Sequence, residues 1–167
     1  MTTAQTLLDL ALRMIHGRYE LDPSEAAPMA FMCKGADIHG MIILDFADQH
    51  SKDLSIAGLS QFLREHGCDG SIFVSEAWLS QKSAASMNSD AYVSPTMSQD
   101  RVEVLICEVS TADQYLSVIQ KMNRDDAGKF LGFEEMQRYD SQNIKKGSLT
   151  VSSRFDFFGG NNQKLDS

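Results

Sequence analysis

Two segments of this chain repeat their apolar residues at the spacing of an α-helix. Residues 3–16 and 51–66 place leucine and other apolar side chains three and four positions apart. Thr2 or Thr3 is available to cap the first helix. Each segment ends in a histidine followed by a glycine, a pair that favours the end of a helix. The pattern therefore predicts two helices.

Apolar and polar residues alternate in most of the remaining chain, which predicts β-strands. Residues 28–33 and 38–46 are expected to form a hairpin, with Gly35 at a positive φ angle in the turn. The polar stretch 80–99 contains six serines and no clear period, so it is interpreted as a long loop. Further strands are predicted after this loop, at residues 101–109, 115–122, 129–139 and 148–158.

The strand around which the sheet is expected to form is Ser71–Leu79, which contains the only tryptophan. Both of its faces are apolar, which indicates that both are covered. One face has Ile72, Val74 and Trp78, and the other has Phe73, Ala77 and Leu79. Glu76 interrupts the first face, where an ionised carboxylate needs a partner. This residue is the most informative anomaly in the sequence.

Together these elements predict one α+β domain that spans residues 1–158. The expected order is α-β-β-α-β-loop-β-β-β-β, with a mainly antiparallel sheet of about six to seven strands. Both helices are expected to pack on one face of this sheet. Residues 159–167 begin with two glycines and two asparagines and are expected to form a disordered tail.

Charge and composition narrow the classes of function. The 167 residues include 15 basic and 23 acidic side chains, and the resulting net charge of −8 disfavours nucleic-acid binding. No stretch reaches the ~20 apolar residues of a membrane span, so no membrane partner is expected. The cysteines Cys33, Cys68 and Cys107 are odd in number and widely spaced. This spacing favours free thiols in a reducing, cytoplasmic setting.

The motifs of common catalytic and metal sites are missing from the sequence. No CxxC, HxH or HExxH spacing occurs, so neither a metal nor a cofactor is expected. The nucleophile elbow GxSxG and the glycine motifs that bind phosphate are also missing. These absences favour a non-catalytic protein and leave the question of an enzyme open.

The candidates for a catalytic or binding site are Glu76, Arg101 and Glu103. On the functional interpretation, Glu76 is a general base or an anchoring carboxylate in a pocket under the 80–99 loop. On the structural interpretation, Glu76 pairs with Arg101 inside the sheet and fixes the register of two strands. We favour the second interpretation, because buried ion pairs also perturb pKa values without any catalytic role. It predicts that Glu76→Gln costs ~3–5 kcal/mol.

The methionines give a further indication of function. Most of the nine are expected in the core, but Met87 and Met97 lie in the polar loop, where exposed apolar residues indicate an interaction surface. The favoured function is that of a non-catalytic interaction or accessory protein, which binds another protein or itself through the sheet and the 80–99 loop. The alternative is a small-ligand-binding protein or enzyme that uses Glu76 and Arg101 in a cleft.

Overall fold

The described part of the chain forms a six-stranded antiparallel sheet with two helices. The computed structural model describes residues 1–80, 101–143 and 153–160. Neighbouring strands lie in the order β2-β1-β3-β4-β5-β6. The elements are α1 (Thr3–Leu21), β1 (Met29–Lys34), β2 (Asp37–Ile43), α2 (Gln49–Glu65), β3 (Gly70–Ser80), β4 (Arg101–Thr111), β5 (Tyr115–Arg124) and β6 (Phe130–Asp140). The predicted α+β class, the antiparallel sheet and the order of the elements from α1 to β6 are confirmed.

Parts of three predicted segments fall outside the described residues. They are residues 81–99 of the polar loop, residues 148–152 of the last predicted strand, and residues 161–167 of the predicted tail.

Side chains that precede the helices define where each helix begins. The Thr2 hydroxyl accepts the N–H of Gln5 at 3.2 Å, and the Gln5 side chain accepts the N–H of Thr2 at 2.8 Å. This reciprocal pair satisfies two backbone donors that the first turn leaves free. Asp48 caps α2 by accepting the N–H of Ser51 at 2.7 Å. Gly67, at a φ angle of 65°, follows the end of α2 as the sequence predicts.

The first helix is longer than its sequence pattern predicts. The expected end at His16 and Gly17 is wrong, because α1 continues to Leu21. Tyr19, one turn beyond Ile15, is buried in the core. Packing of this extra turn outweighs the ~1 kcal/mol that a glycine costs inside a helix.

The two helices pack on opposite faces of the sheet, so the expectation of both on one face is wrong. The helix α1 packs against Ile72 and Val74 of β3, on the side that we call the α1 face. The helix α2 packs Leu59 and Leu63 against Phe73, on the side that we call the α2 face. Successive residues of a strand point to opposite sides. Each apolar face of β3 therefore needs a cover, and a different helix provides it.

The segment 153–160 is a series of turns, whereas the sequence predicts a strand over 148–158. Phe155 stacks on Phe73 with ring centroids 3.5 Å apart. Asp156 accepts a hydrogen bond at 2.7 Å from a serine hydroxyl of β4. The described part of this segment therefore covers the α2 face through side-chain contacts and adds no strand to the sheet.

One end of the α1 face is left partly open. The helix α1 crosses the sheet over β3, β4 and β5. Beside it, Met14 on the helix and Met41 and Ile43 on β2 are 46%, 52% and 56% exposed. Single exposed apolar residues are ordinary, but a group of neighbours is not.

Candidate functional site

Glu76 lies on the α1 face of β3, where the chain that follows α1 folds back over the sheet. Its Oε2 accepts the backbone N–H of Ala26 at 2.8 Å. Its Oε1 is buried and has no hydrogen-bond partner among the described residues. A buried carboxylate oxygen without a donor costs free energy. Glu76 is therefore not a fully satisfied structural carboxylate.

Tyr19 approaches Glu76 from α1. Its side chain is 1% exposed and packs against the rings of Phe130 and Phe133. Within the described residues, its hydroxyl likewise meets no partner with the distance and angles of a hydrogen bond. The phenol and the carboxyl still lie close enough to affect each other's ionisation. The contact is a close approach that falls outside the geometry of a hydrogen bond.

Burial raises the pKa of the Glu76 carboxyl, while Tyr19 and the N–H of Ala26 oppose this rise. The negative charges of Glu103 and Glu25 raise this pKa further. Burial, together with Glu76, also raises the pKa of the Tyr19 phenol. Glu76 consequently keeps its proton to a higher pH than an exposed glutamate does.

The strand register separates Arg101 from Glu76. Leu105 is opposite Glu76, whereas Arg101 is opposite Ser80, about 13 Å farther along the strand. The Arg101 guanidinium lies over the ring of Trp78, 4.7 Å from its centroid. The predicted ion pair between Glu76 and Arg101 is therefore wrong, and a backbone N–H takes its place.

Glu103 lies opposite Trp78 and pairs with Arg124 of β5. Two parallel contacts join them, from Nε to Oε2 at 2.9 Å and from Nη2 to Oε1 at 3.0 Å. Arg124 also donates to the Pro23 carbonyl at 3.3 Å, so this pair ties the segment after α1 to the sheet. Trp78 is 44% exposed, so the apolar face that was expected to enclose Glu76 opens to solvent at this residue.

These side chains line a small cleft, which we call the acidic cleft, of about 180 Å³. Its lining is formed by Glu25, Glu76, Ala77, Trp78 and Glu103. Arg124 offsets the charge of Glu103, but Glu25 has no ion-pair partner among the described residues. Sequence reasoning found Glu76 and Glu103 and missed Glu25 and Tyr19. Neither of the missed residues belongs to a sequence motif. Both are distant from β3 in the sequence and come close to it only in the folded chain.

An apolar groove adjoins the acidic cleft on the same face, and we call it the methionine groove. It has a volume of about 310 Å³ between α1 and the β1–β2 hairpin. Its lining includes Met14, Ile15, Arg18, Met29, Phe31, Met41 and Val74. Tyr19 and Ala26 also line the groove, and both contact Glu76. The groove and the cleft therefore share a wall.

A larger cavity of about 490 Å³ lies between α1 and β6. Its histidine is already bonded within the fold. The ring of His16 stacks on Phe133 at 4.3 Å, and its Nε2 lies 2.7 Å from Oε1 of Gln120. We therefore place the candidate site at the acidic cleft despite its smaller volume.

Several other chemistries find no support in the described residues. Within them, no group of histidine, cysteine, aspartate and glutamate side chains is arranged to hold a metal ion. Burial raises the pKa of Cys33 and of Cys107 to about 12, which keeps both thiols protonated at neutral pH. Neither of the two helices combines the length and the apolar character that crossing a membrane requires.

A comparison of the chain with models of protein families, with curated proteins and with solved structures gave no match. Function is therefore inferred from the acidic cleft and the methionine groove.

Proposed function

We propose that this protein is a non-catalytic interaction protein that holds a segment of another protein in the methionine groove. The supporting observation is the open end of the α1 face, where α1 leaves Met41 and Ile43 of β2 more than half exposed. Met14 and Met41 line the groove from its two sides and are about half exposed. Flexible, polarisable methionine side chains suit a surface that adapts to a partner. Such a group of exposed apolar side chains is typical of a binding surface.

The partner segment is expected to be extended. Within the described residues, the edge strand β2 borders the groove and pairs on one side only, with β1, so the backbone groups on its other side can accept an added strand. The opposite edge strand, β6, is less suited to this role. It carries the exposed charges of Glu134, Glu135 and Arg138. Charged side chains protect an edge strand against pairing.

The segment is also expected to combine apolar side chains with a basic residue. The groove offers apolar walls, and the cleft beside it offers carboxylates. The chain as a whole has a net charge of −8. Complementary charge accelerates the encounter of two proteins and fixes their relative orientation.

A defined peptide tests this function. The pentapeptide Leu-Leu-Arg-Leu-Leu, acetylated and amidated, is titrated by calorimetry and by the fluorescence of Trp78. Met41→Asp is expected to weaken binding about tenfold or more, because it buries a charge against the peptide. Met136→Asp makes the same change at a methionine of β6 that is 39% exposed, and should leave binding unchanged. Equal losses in the two variants, or no binding by the wild type at about 1 mM, would contradict the proposal.

A second copy of the chain is the other occupant to be tested. Sedimentation velocity over a range of protein concentrations detects self-association. If the wild type self-associates and Met41→Asp is monomeric, the groove holds another copy of this chain. If both are monomeric, a second copy is not the occupant of the groove, and the peptide titration decides the proposal.

A second candidate function is the binding or conversion of a small ligand at Glu76. The specific observation in its favour is the buried Oε1 without a partner, in a cleft where burial raises the pKa of the carboxyl. A carboxyl of this kind acts as a general base when a ligand proton lies within hydrogen-bond reach. Small-molecule fragments that shift the Trp78 indole resonance in the wild type but not in Glu76→Gln would support this function. Arg101 borders this site, where its guanidinium lies over the ring of Trp78.

A reducing, cytoplasmic location is part of the proposal. It is supported by the three cysteines, which are all free. Nucleic acid is not expected as a partner, because the net charge repels phosphate groups.

A further inference from the structure

We infer that the partner strand occupies two grooves at once, the methionine groove on the α1 face and a second groove on the α2 face of the same edge strand. The second groove narrows the kind of partner, because it selects a strand with apolar side chains on both of its sides. Occupation of the second groove rests on the proposed function, in which a strand of the partner pairs with β2, but the two grooves can be tested separately.

The second groove, which we call the α2 groove, lies between β2 and α2. Its volume of about 340 Å³ is close to that of the methionine groove. Its walls include Ile42 and Leu44 on one side and Leu54, Gly58 and Phe62 of α2 on the other. Leu54 is 61% exposed, and a Cβ added to Gly58 would meet nothing within 4 Å. The α2 groove is therefore open and has room for side chains from outside.

The edge strand β2 is apolar on both faces beside these grooves. Met41 and Ile43 are opposite residues that pack on the α1 face, whereas Ile42 is opposite Ala30, which packs on the α2 face. No charged residue occurs in the stretch 40–43, and charges are what commonly protect an exposed edge. Successive side chains of an added strand alternate in the same way. One would enter the methionine groove and the next would enter the α2 groove.

A strand is the occupant that reaches both grooves. The sheet separates them, so a helix docked on one face would leave the other groove empty. Leu54 and Phe62 are eight residues apart on α2, which is about 12 Å along the helix. Side chains on one side of a strand repeat every ~7 Å. The α2 groove is therefore long enough for two alternate side chains of the partner.

The charge around the α2 groove favours apolar side chains in it. The stretch 54–63 of α2 contains no charged residue, although the chain as a whole has a net charge of −8. An ionised side chain in this groove would lose water without gaining a charged partner. The carboxylates of the acidic cleft lie on the α1 face, so a basic residue of the partner is expected on that side only.

The test changes only the side of the peptide that points to the α2 face. In Leu-Leu-Arg-Leu-Leu, the second and fourth residues point away from the side that carries the arginine. The wild type is expected to bind Leu-Ser-Arg-Ser-Leu about tenfold or more weakly, because two apolar side chains lose their burial. Leu54→Asp is expected to reduce this difference to less than about threefold, because its charge opposes apolar burial in the groove. Leu131→Asp makes the same change at a leucine of β6 that is 62% exposed, and should keep the full difference.

A second measurement uses the wild type alone and so does not depend on the folding of a variant. The methyl resonances of Leu54 should shift when Leu-Leu-Arg-Leu-Leu is added and should stay in place with Leu-Ser-Arg-Ser-Leu. Equal shifts with the two peptides would overturn the inference. A difference in affinity that Leu54→Asp leaves intact would also overturn it.

The outcomes for the two grooves are distinguishable. If the wild type binds both peptides equally well and Met41→Asp weakens both, the proposed function stands and the α2 groove is wrong. If Leu54→Asp removes the difference while Met41→Asp binds as tightly as the wild type, the α2 groove stands and the methionine groove is wrong. If the wild type binds neither peptide at about 1 mM, both are wrong.

Discussion

Removal of the charge at Glu76 is expected to leave the fold intact, whereas removal of its oxygen atoms should weaken it. In Glu76→Ala, the partly buried N–H of Ala26 loses the acceptor that it has at 2.8 Å. Loss of such a hydrogen bond costs about 0.5–1.5 kcal/mol, and this is the expected loss in the free energy of unfolding. Glu76→Gln keeps a side-chain oxygen at the same place. Its stability near pH 5 is expected within about 0.5 kcal/mol of the wild type.

The two proteins should then diverge as the pH rises. Burial raises the pKa of Glu76 above its ordinary value of 4.5 in the folded chain, with contributions from Glu103 and Glu25. Between the ordinary and the raised value, the folded state binds more protons than the unfolded state, so wild-type stability falls with increasing pH. Glu76→Gln has no such proton. Its stability relative to the wild type should therefore increase through this window and then level off.

Urea denaturation of the wild type, Glu76→Gln and Glu76→Ala at a series of pH values measures both effects. Glu134→Gln is the control for the loss of one negative charge at an exposed position. The reasoning fails if glutamine destabilises as much as alanine at every pH, which a buried ion pair would require. It also fails if the difference between glutamine and wild type does not change with pH.

Three further predictions concern other positions. Gly17→Ala should raise the free energy of unfolding by about 0.5–1 kcal/mol in urea denaturation, because nothing lies within 4 Å of the added Cβ inside α1. Gly160→Ala should lower it by about 1–3 kcal/mol, because the added Cβ meets the backbone at the β4–β5 turn. In native protein, Cys68 should react with Ellman's reagent long before the buried Cys33 and Cys107. All three thiols should react in denaturant without a reductant, and any shortfall would reveal a disulfide.

The fold was largely predictable because the hydrophobic pattern is consistent at short range. The nearly continuous apolar run in β3 identifies a strand covered on both faces, and the period near 3.6 in α1 and α2 identifies their buried sides. The pattern does not say which helix covers which face, because both faces of β3 are apolar. It also assigns a strand to Phe155 and its neighbours, although the fold uses Phe155 to stack on Phe73. Alternation predicts that one face of a strand is buried, but it does not predict which element of the fold packs against that face.

The site was predictable only in part, because the neighbours of Glu76 depend on the register between β3 and β4. Glu76 is conspicuous in an apolar strand, and this anomaly can be recognised without a structure. Its partner cannot be recognised in this way, because a shift of four residues along β4 separates Arg101 from Leu105. The actual neighbours, Tyr19 and Ala26, are about 50 or more positions away in the sequence and carry no chemical motif.

The irregular segment after α1 is what makes a carboxylate tolerable at this point of the sheet. Had α1 continued over Glu76, it would have presented backbone N–H groups that are already bonded to carbonyls of the helix. The extended chain at Ala26 instead has a free N–H to donate, and the Arg124 contact to Pro23 holds that chain in place. The same backbone forms a wall of the methionine groove. A ligand in the groove and the ionisation of Glu76 therefore act on one short segment, so each is expected to influence the other.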